Sequence, residues 1–411
     1  MLLRFASQCN NFSFAIQLHL RAFLAKWSRM IGKATLQVGA LLLLGGFTTL
    51  GCSSADDETT GSNGGAIVVS ASGEELALEG YPFPPQAGVE AFFGDGWEVK
   101  FSKVLVVISD VHLSESPDTS PTDQSKVGKR VASLPGPFAV NLAAPGDLVG
   151  KGGGAERAWT LGRLENQNLN DGDAFDASQR YAFGYSLIDA SDEVTNLHGF
   201  DADDADWQEM KQKHWTHLLV GTATFKGSDC SASKDTYDFS TLPTKVNFRL
   251  GFEADVSMEN CQNPENTGSA FDGEEFQRGI QVKAGGETTV QATIHTDHLF
   301  WDTVDHGAIP LFNQFAAQAQ EVGGEFLVTT DDLVGVPLAP VTDSSGQALP
   351  WRSCVDSGEY TLPTLPSEVT FNTEGNDAIT DLHDFLIFNG STMGHLNQDG
   401  LCYAPGFEHS H

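Results

Sequence analysis

Basic residues are scarce in this 411-residue chain: 23 Lys and Arg stand against 55 Asp and Glu, a formal net charge of −32. A surface this anionic repels phosphate backbones and anionic headgroups, which argues against nucleic acid as a partner. Familiar catalytic signatures are missing too. Gly184-Tyr185-Ser186-Leu187-Ile188 fails the G-x-S-x-G elbow at its last position, and there is no H-E-x-x-H, phosphate loop or dinucleotide fingerprint. No C-x-x-C pair exists, so a four-thiolate zinc site has no sequence support. No repeat of solenoid or propeller period is visible, and no apolar run reaches the roughly 20 residues of a membrane-spanning helix.

What is present begins with a targeting segment. Gly39 to Leu50 is apolar and small, follows Lys33, and is followed by Gly51-Cys52. This resembles a bacterial lipoprotein signal over residues 1–51, with Thr49 where Leu is favoured and Cys52 as the lipidated residue. Ser53-Ser54, with no Asp beside the cysteine, resembles the pattern that leads to the outer membrane on the extracytoplasmic side. Residues 52–65 are acidic, small and polar, a composition for a flexible linker. Removing the five basic residues of the leader from the 23 leaves 18 against 55 acidic ones, a net charge near −37. Such a domain stays soluble and favours cations. Its expected partners are the membrane through the lipid, a metal ion and another envelope protein rather than any polyanion.

Apart from Cys9 in the leader and Cys52, four cysteines remain: Cys230, Cys261, Cys354 and Cys402. In an oxidising compartment they form disulfides. Four cysteines allow three pairings, and loop-closure cost favours the local staples Cys230–Cys261 and Cys354–Cys402.

Along the chain, β-type runs dominate: residues 66–72, 97–113, 137–142, 181–190, 215–225, 245–252 and 287–298 alternate or run continuously apolar between separators rich in Gly, Asp, Asn, Ser and Pro. These predict a mainly β fold, an antiparallel β-sandwich over residues 66–302. Near residue 303 the pattern changes. Residues 309–319 and 376–388 have helical spacing, and Thr329 to Leu333 looks like a short capped helix. A smaller helical, disulfide-stapled cap is therefore expected over residues 303–411.

The densest group of candidate ligands is His295-Thr296-Asp297-His298, with Asp302 and His306 beyond it, in a chain with 12 histidines. Strand alternation would put His295 and Asp297 on one face, with His298 turning back towards them. Imidazole and carboxylate donors suit a transition-metal ion, zinc or copper foremost. His112, at the end of an apolar strand, and His395, near a cysteine, are the remote candidates for a third ligand. His214 and His217 form a weaker pair, His217 reading as a core residue. Glu408-His409-Ser410-His411 is a solvated tail. Calcium is the other ion considered, through Asp201 to Asp206 or Asn170 to Asp173, although neither fits an EF-hand loop.

Gly94 to Phe101 (G-D-G-W-x-V-x-F), Thr222-Ala223-Thr224, His295 to Asp302 (H-x-D-H-L-F-x-D) and Gly394 to Cys402 (G-H-x(4)-G-x-C) occur in that order after the acylated cysteine. Together they resemble a group of uncharacterised Gram-negative surface lipoproteins. The resemblance implies a β-sandwich with a C-terminal helical cap and carries no activity with it. Those relatives have an acidic D-x-D-G-D-G loop after the histidine motif; here Gln318 to Glu325 keeps only Glu321 and Glu325. The leading expectation is a non-enzymatic lipoprotein that binds a metal through His295, His298 and a third ligand from Asp297, His112 or His395. The alternatives are an adhesion or partner-binding module with structural histidines, and a zinc hydrolase with Asp297 or Asp302 as general base.

Overall fold

The apolar run that starts at Trp97 becomes an 18-residue strand, Trp97–Ser114, in the computed structural model, which describes residues 64–85, 91–305, 308–355, 362 and 365–407. The signal segment, Cys52, most of the linker, His306 and residues 408–411 lie outside the described residues. Along this strand Val104, Val106 and Ile108 face one apolar cluster while Leu105 and Val107 face another, beneath Trp207 and Met210 of the helix Ala205–Lys213. The run is continuously apolar because each face of the strand is covered by a different layer. Each large side chain buried this way contributes roughly 1.5–3 kcal/mol.

Trp97–Ser114 is the centre of the larger sheet, whose main path runs Val256–Met258, Arg180–Leu187, Trp97–Ser114, His217–Phe225, Lys245–Phe252, Glu325–Thr329, Gln320–Val322. The smaller sheet runs Gly400–Leu401, Gly394–Leu396, Glu287–Ile294, Ala66–Ser72, Arg157–Leu164, Leu148–Val149. Ile67 and Val69 of the smaller sheet share one core with Val99 and Val104 of the larger. The protein is thus mainly β, as expected. Among the described strands three pairings are parallel: Ala66–Ser72 with Glu287–Ile294, Lys245–Phe252 with Glu325–Thr329, and Phe138–Asn141 with Asn196–His198.

The chain after residue 302 is less helical than its spacing suggests. Its described α-helices are Asn313–Ala316 and Leu382–Gly390, the latter capped by Asp381, whose side chain accepts from the Asp384 amide at 2.9 Å. The short helix at Thr330–Leu333 does form, with Asp332 accepting from the amide and hydroxyl of Thr329 at 2.8 and 2.7 Å. Between and after these helices the chain adds Glu325–Thr329 to the larger sheet and Gly394–Leu396 to the smaller. Both sheets therefore cross the boundary expected at 302, within one unit that spans Gly61–His411. Among the described residues no helix is long and apolar enough to cross a membrane.

The cysteine pairing corrects the local expectation. Cys230 bonds Cys354 and Cys261 bonds Cys402, across 124 and 141 residues. Loop-closure entropy rises only logarithmically, so a fourfold longer loop costs about 1 kcal/mol more, which sheet pairing readily outweighs. Ser231–Ala232 pairs with Arg352–Ser353, and Glu259 bridges Tyr403, which sets the two cysteine pairs face to face.

His217 sits in this core, fully buried and stacked on Phe252 with ring centroids 5.0 Å apart. Neither ring nitrogen has a hydrogen-bond partner among the described residues, and burial pushes the imidazole pKa down to about 3 from 6.5. The unfolded chain thus takes up this proton first. The stability that neutral His217 contributes is complete above pH 6.5 and is lost as pH falls from 6.5 towards 3, at about 1.4 kcal/mol per pH unit. The difference in unfolding free energy between wild type and His217→Phe should follow that slope in urea titrations between about pH 7 and pH 4.5. Parallel pH profiles for the two proteins would contradict a buried neutral His217.

Candidate metal centre

Glu287–Ile294 lies between two neighbours, Ala66–Ser72 in parallel and Gly394–Leu396 antiparallel, in a register that aligns Thr293 with both Ser72 and His395. The strand ends at Ile294, earlier than the apolar pattern suggests. His295 begins a 3-10 turn, Thr296–Phe300, so His295 and Asp297 are not on one face of a strand. The turn is pinned by its apolar residues. Leu299 and Phe300 are buried, and Phe300 packs edge-on against Phe93 and Phe315 at 5.1 and 5.3 Å. With the turn fixed, His298 lies against Trp301, centroids 3.9 Å apart, while His295 stacks on His395 at 4.2 Å with a 21° tilt. One nitrogen from each of His295, His298 and His395 falls within 4.8 Å of the other two. A tetrahedral ion with bonds near 2.0–2.1 Å spaces its nitrogens roughly 3.3 Å apart, so small ring rotations close the set.

A surrounding shell holds these rings. The Thr392 hydroxyl donates to the Asn389 carbonyl at 2.9 Å and lies 3.1 Å from His298 Nδ1. Since its one hydrogen is committed, it accepts from Nδ1–H, which leaves Nε2 as the nitrogen that carries the lone pair. The Asn389 side-chain amide also donates to the His298 carbonyl at 2.9 Å. Tyr185 Oη donates to the His395 carbonyl at 3.0 Å, and the His295 amide to the Met393 carbonyl at 2.9 Å. Gly394 is closely packed here: a Cβ would lie 2.7 Å from both Tyr185 Oη and Met258 Cε.

The three histidines border a cleft of about 1030 Å³. Its wall carries Glu74, Glu75, Glu79, Glu98, Asp297 and Asp399, against Lys100 as its single lysine or arginine among the described lining residues. Glu74 Oε1 lies 3.5 Å from His295 Nε2. Burial depresses the His295 pKa, but Glu74, then Asp297 and Asp399, outweigh it and hold the group above its ordinary value. Burial also raises Glu74 and Asp297, with His295 opposing in both cases. Asp297 accepts a hydrogen bond from the Trp301 side chain and acts as an electrostatic neighbour, outside the three-histidine set. Asp302, raised to about 6 by burial, is likewise outside that set.

His112 does not join the cluster. A bulge between Ser109 and His112 turns its ring so that Nε2 lies 3.1 Å from Glu259 Oε2 and Nδ1 2.7 Å from the Asp110 carbonyl. In the acidic loops considered for calcium, Asp204 and Asp206 already have cationic partners. Lys103 and Arg249 engage Asp204 and Asp206, at 2.6 Å for Lys103 to Asp204 and for Arg249 to Asp206, while Asp204 caps the helix Ala205–Lys213. Lys129 reaches Asn170 at 2.7 Å. Gln318 to Glu325 is mostly a hairpin at a sheet edge. His214 caps the Ala205–Lys213 helix in a left-handed conformation.

Sequence reasoning missed Glu74 and Thr392. Glu74 follows a strand that runs parallel to the histidine-bearing one, so both emerge at the same end of the sheet, and only the pairing shows it. Compared with known proteins, the chain matches no family, no curated protein and no solved structure. The geometry therefore carries the functional argument. Thr392→Val keeps the shape and removes the acceptor for His298 Nδ1. It should weaken metal binding roughly 10–100-fold in chelator-competition titrations with an unchanged circular dichroism spectrum. Wild-type affinity in this variant would show that Thr392 does not orient the site.

Proposed function

We propose that the protein is a lipid-anchored, extracytoplasmic metal-binding protein in which His295, His298 and His395 hold a transition-metal ion. The observation that carries this reading is the convergence of three imidazole nitrogens within 4.8 Å, from segments about a hundred residues apart in the chain. Three nitrogen donors without a thiolate suit zinc or copper. The carboxylates that line the cleft favour entry of a cation and repel anions. The role is capture or handover of the ion, not turnover of a substrate. The anchor is the lipidated Cys52, and the linker to Gly65 would hold the domain away from an outer-membrane surface.

Elemental analysis of the purified full-length protein, after equilibration with zinc or copper and gel filtration, tests the reading. Wild type should retain about one equivalent, as a single three-histidine site holds, and His295→Ala/His298→Ala and His395→Ala should each retain almost none while staying folded. Stoichiometric metal in the double variant, or none in wild type, would overturn it.

A further inference from the structure

Glu74 stands apart from the other acidic residues of the metal cleft. It opens the short helix Glu74–Glu79 with a φ of +62°, in the left-handed region that residues other than glycine seldom occupy. The Ser72 hydroxyl accepts from its amide at 2.9 Å. Backbone outliers of this kind cluster at ligand clamps and active sites. The carboxylate reaches the cleft wall, where Oε1 lies 3.5 Å from His295 Nε2.

The tautomer of His295 gives that distance a meaning. Its ring is hydrogen-bonded to the Gln398 backbone in the sense that favours a ring N–H. Nε2 is buried with no hydrogen-bond partner among the described residues. Nδ1–H is therefore the donor to the Gln398 carbonyl, and Nε2 turns its lone pair towards the carboxylate. Two such acceptors repel unless a positive charge lies between them. A shared proton would draw them to the roughly 2.7–3.2 Å of a hydrogen bond. The 3.5 Å observed is longer than that, and close to the roughly 3.3 Å between two donors on one tetrahedral ion.

We propose that Glu74 is the fourth ligand of the metal centre, binding through Oε1 and making the site selective for Zn(II) or Cu(II) over Cu(I). The inference rests on the three-histidine reading of the site. Glu74 is not among the groups within 4.8 Å of one another, so it completes the set from the His295 side by turning its side-chain torsions. An anionic oxygen added to three imidazoles suits a divalent ion, whereas softer donors suit Cu(I). The Glu74 side chain is 22% exposed against 13% for His295, and His298 and His395 are buried. Glu74 is thus the ligand that an incoming acceptor of the ion displaces first.

Competition titrations with Zn(II) and Cu(I), and visible spectra of the Co(II)-loaded full-length protein, test the proposal. Wild type should show the intense d–d bands of a four-coordinate tetrahedral Co(II) ion. In Glu74→Gln, which keeps the size and removes the charge, those bands should shift. Zn(II) affinity should fall more than about 100-fold, beyond the roughly 10–100-fold of a residue that only orients a ligand. Cu(I) affinity should fall at least about tenfold less than that for Zn(II). Glu75→Gln, which removes a charge from the same wall, should leave the Co(II) bands in place. If Glu74→Gln does not keep the wild-type circular dichroism spectrum, Glu74→Gly, which accepts the left-handed φ without strain, decides instead. Unshifted Co(II) bands or equal losses of Zn(II) and Cu(I) affinity in the deciding variant would overturn Glu74 as a ligand and leave the three-histidine site standing. A wild-type protein that binds none of these ions would overturn both.

Discussion

Three chain segments meet at one end of the smaller sheet because their backbone ladders are in register. Ser72 is aligned with Thr293, and Thr293 with His395. That alignment is the constraint from which the site follows. A parallel neighbour delivers Glu74, the central strand delivers His295 and then His298 through one 3-10 turn, and an antiparallel neighbour delivers His395. A register slip of one residue in the Gly394–Leu396 strand would turn His395 to the opposite face. It would also break the fit of Gly394 against Tyr185 and Met258. The disulfide Cys261–Cys402 lies just beyond this strand and limits such a slip.

Histidine environments in this protein show which electrostatic effect wins where. At His217 there is burial and no charged neighbour, so desolvation alone sets a neutral ring with a pKa of about 3. At His295 burial acts in the same direction, yet Glu74, Asp297 and Asp399 reverse it and the group rises above its ordinary value. One residue type thus serves as an apolar stacking partner in the core and as a polar donor at the cleft wall. The acidic excess of the whole chain has a similar division. At Asp204 and Asp206 it is neutralised by Lys103 and Arg249, while at the cleft it remains largely uncompensated.

Much of the architecture was legible in the residues. The strands Ala66–Ser72 and Lys245–Phe252 have the bounds that their β-branched and alternating patterns predict, and the Thr329 cap forms as its spacing suggests. Short-range patterns failed where long-range pairing decides. The cysteines pair across the fold because sheet contacts outweigh a loop-length penalty of about 1 kcal/mol. The helical spacing after residue 302 yields to strands that complete both sheets. His295, His298 and His395 were visible as residues of the right type, whereas their convergence was not, nor was the contribution of Glu74 or Thr392. His112 looked as good as His395 in sequence, and a single bulge directs it to Glu259 instead.

The proposed function requires three imidazoles from two sheet-end segments to share one ion. X-ray absorption at the metal edge of the loaded full-length protein tests it most directly. The expected spectrum has a first shell with about three imidazole nitrogens near 2.0–2.1 Å, which loses one imidazole in His395→Ala. A shell of sulfur, a shell of oxygen alone, or a spectrum unchanged by that substitution would contradict it.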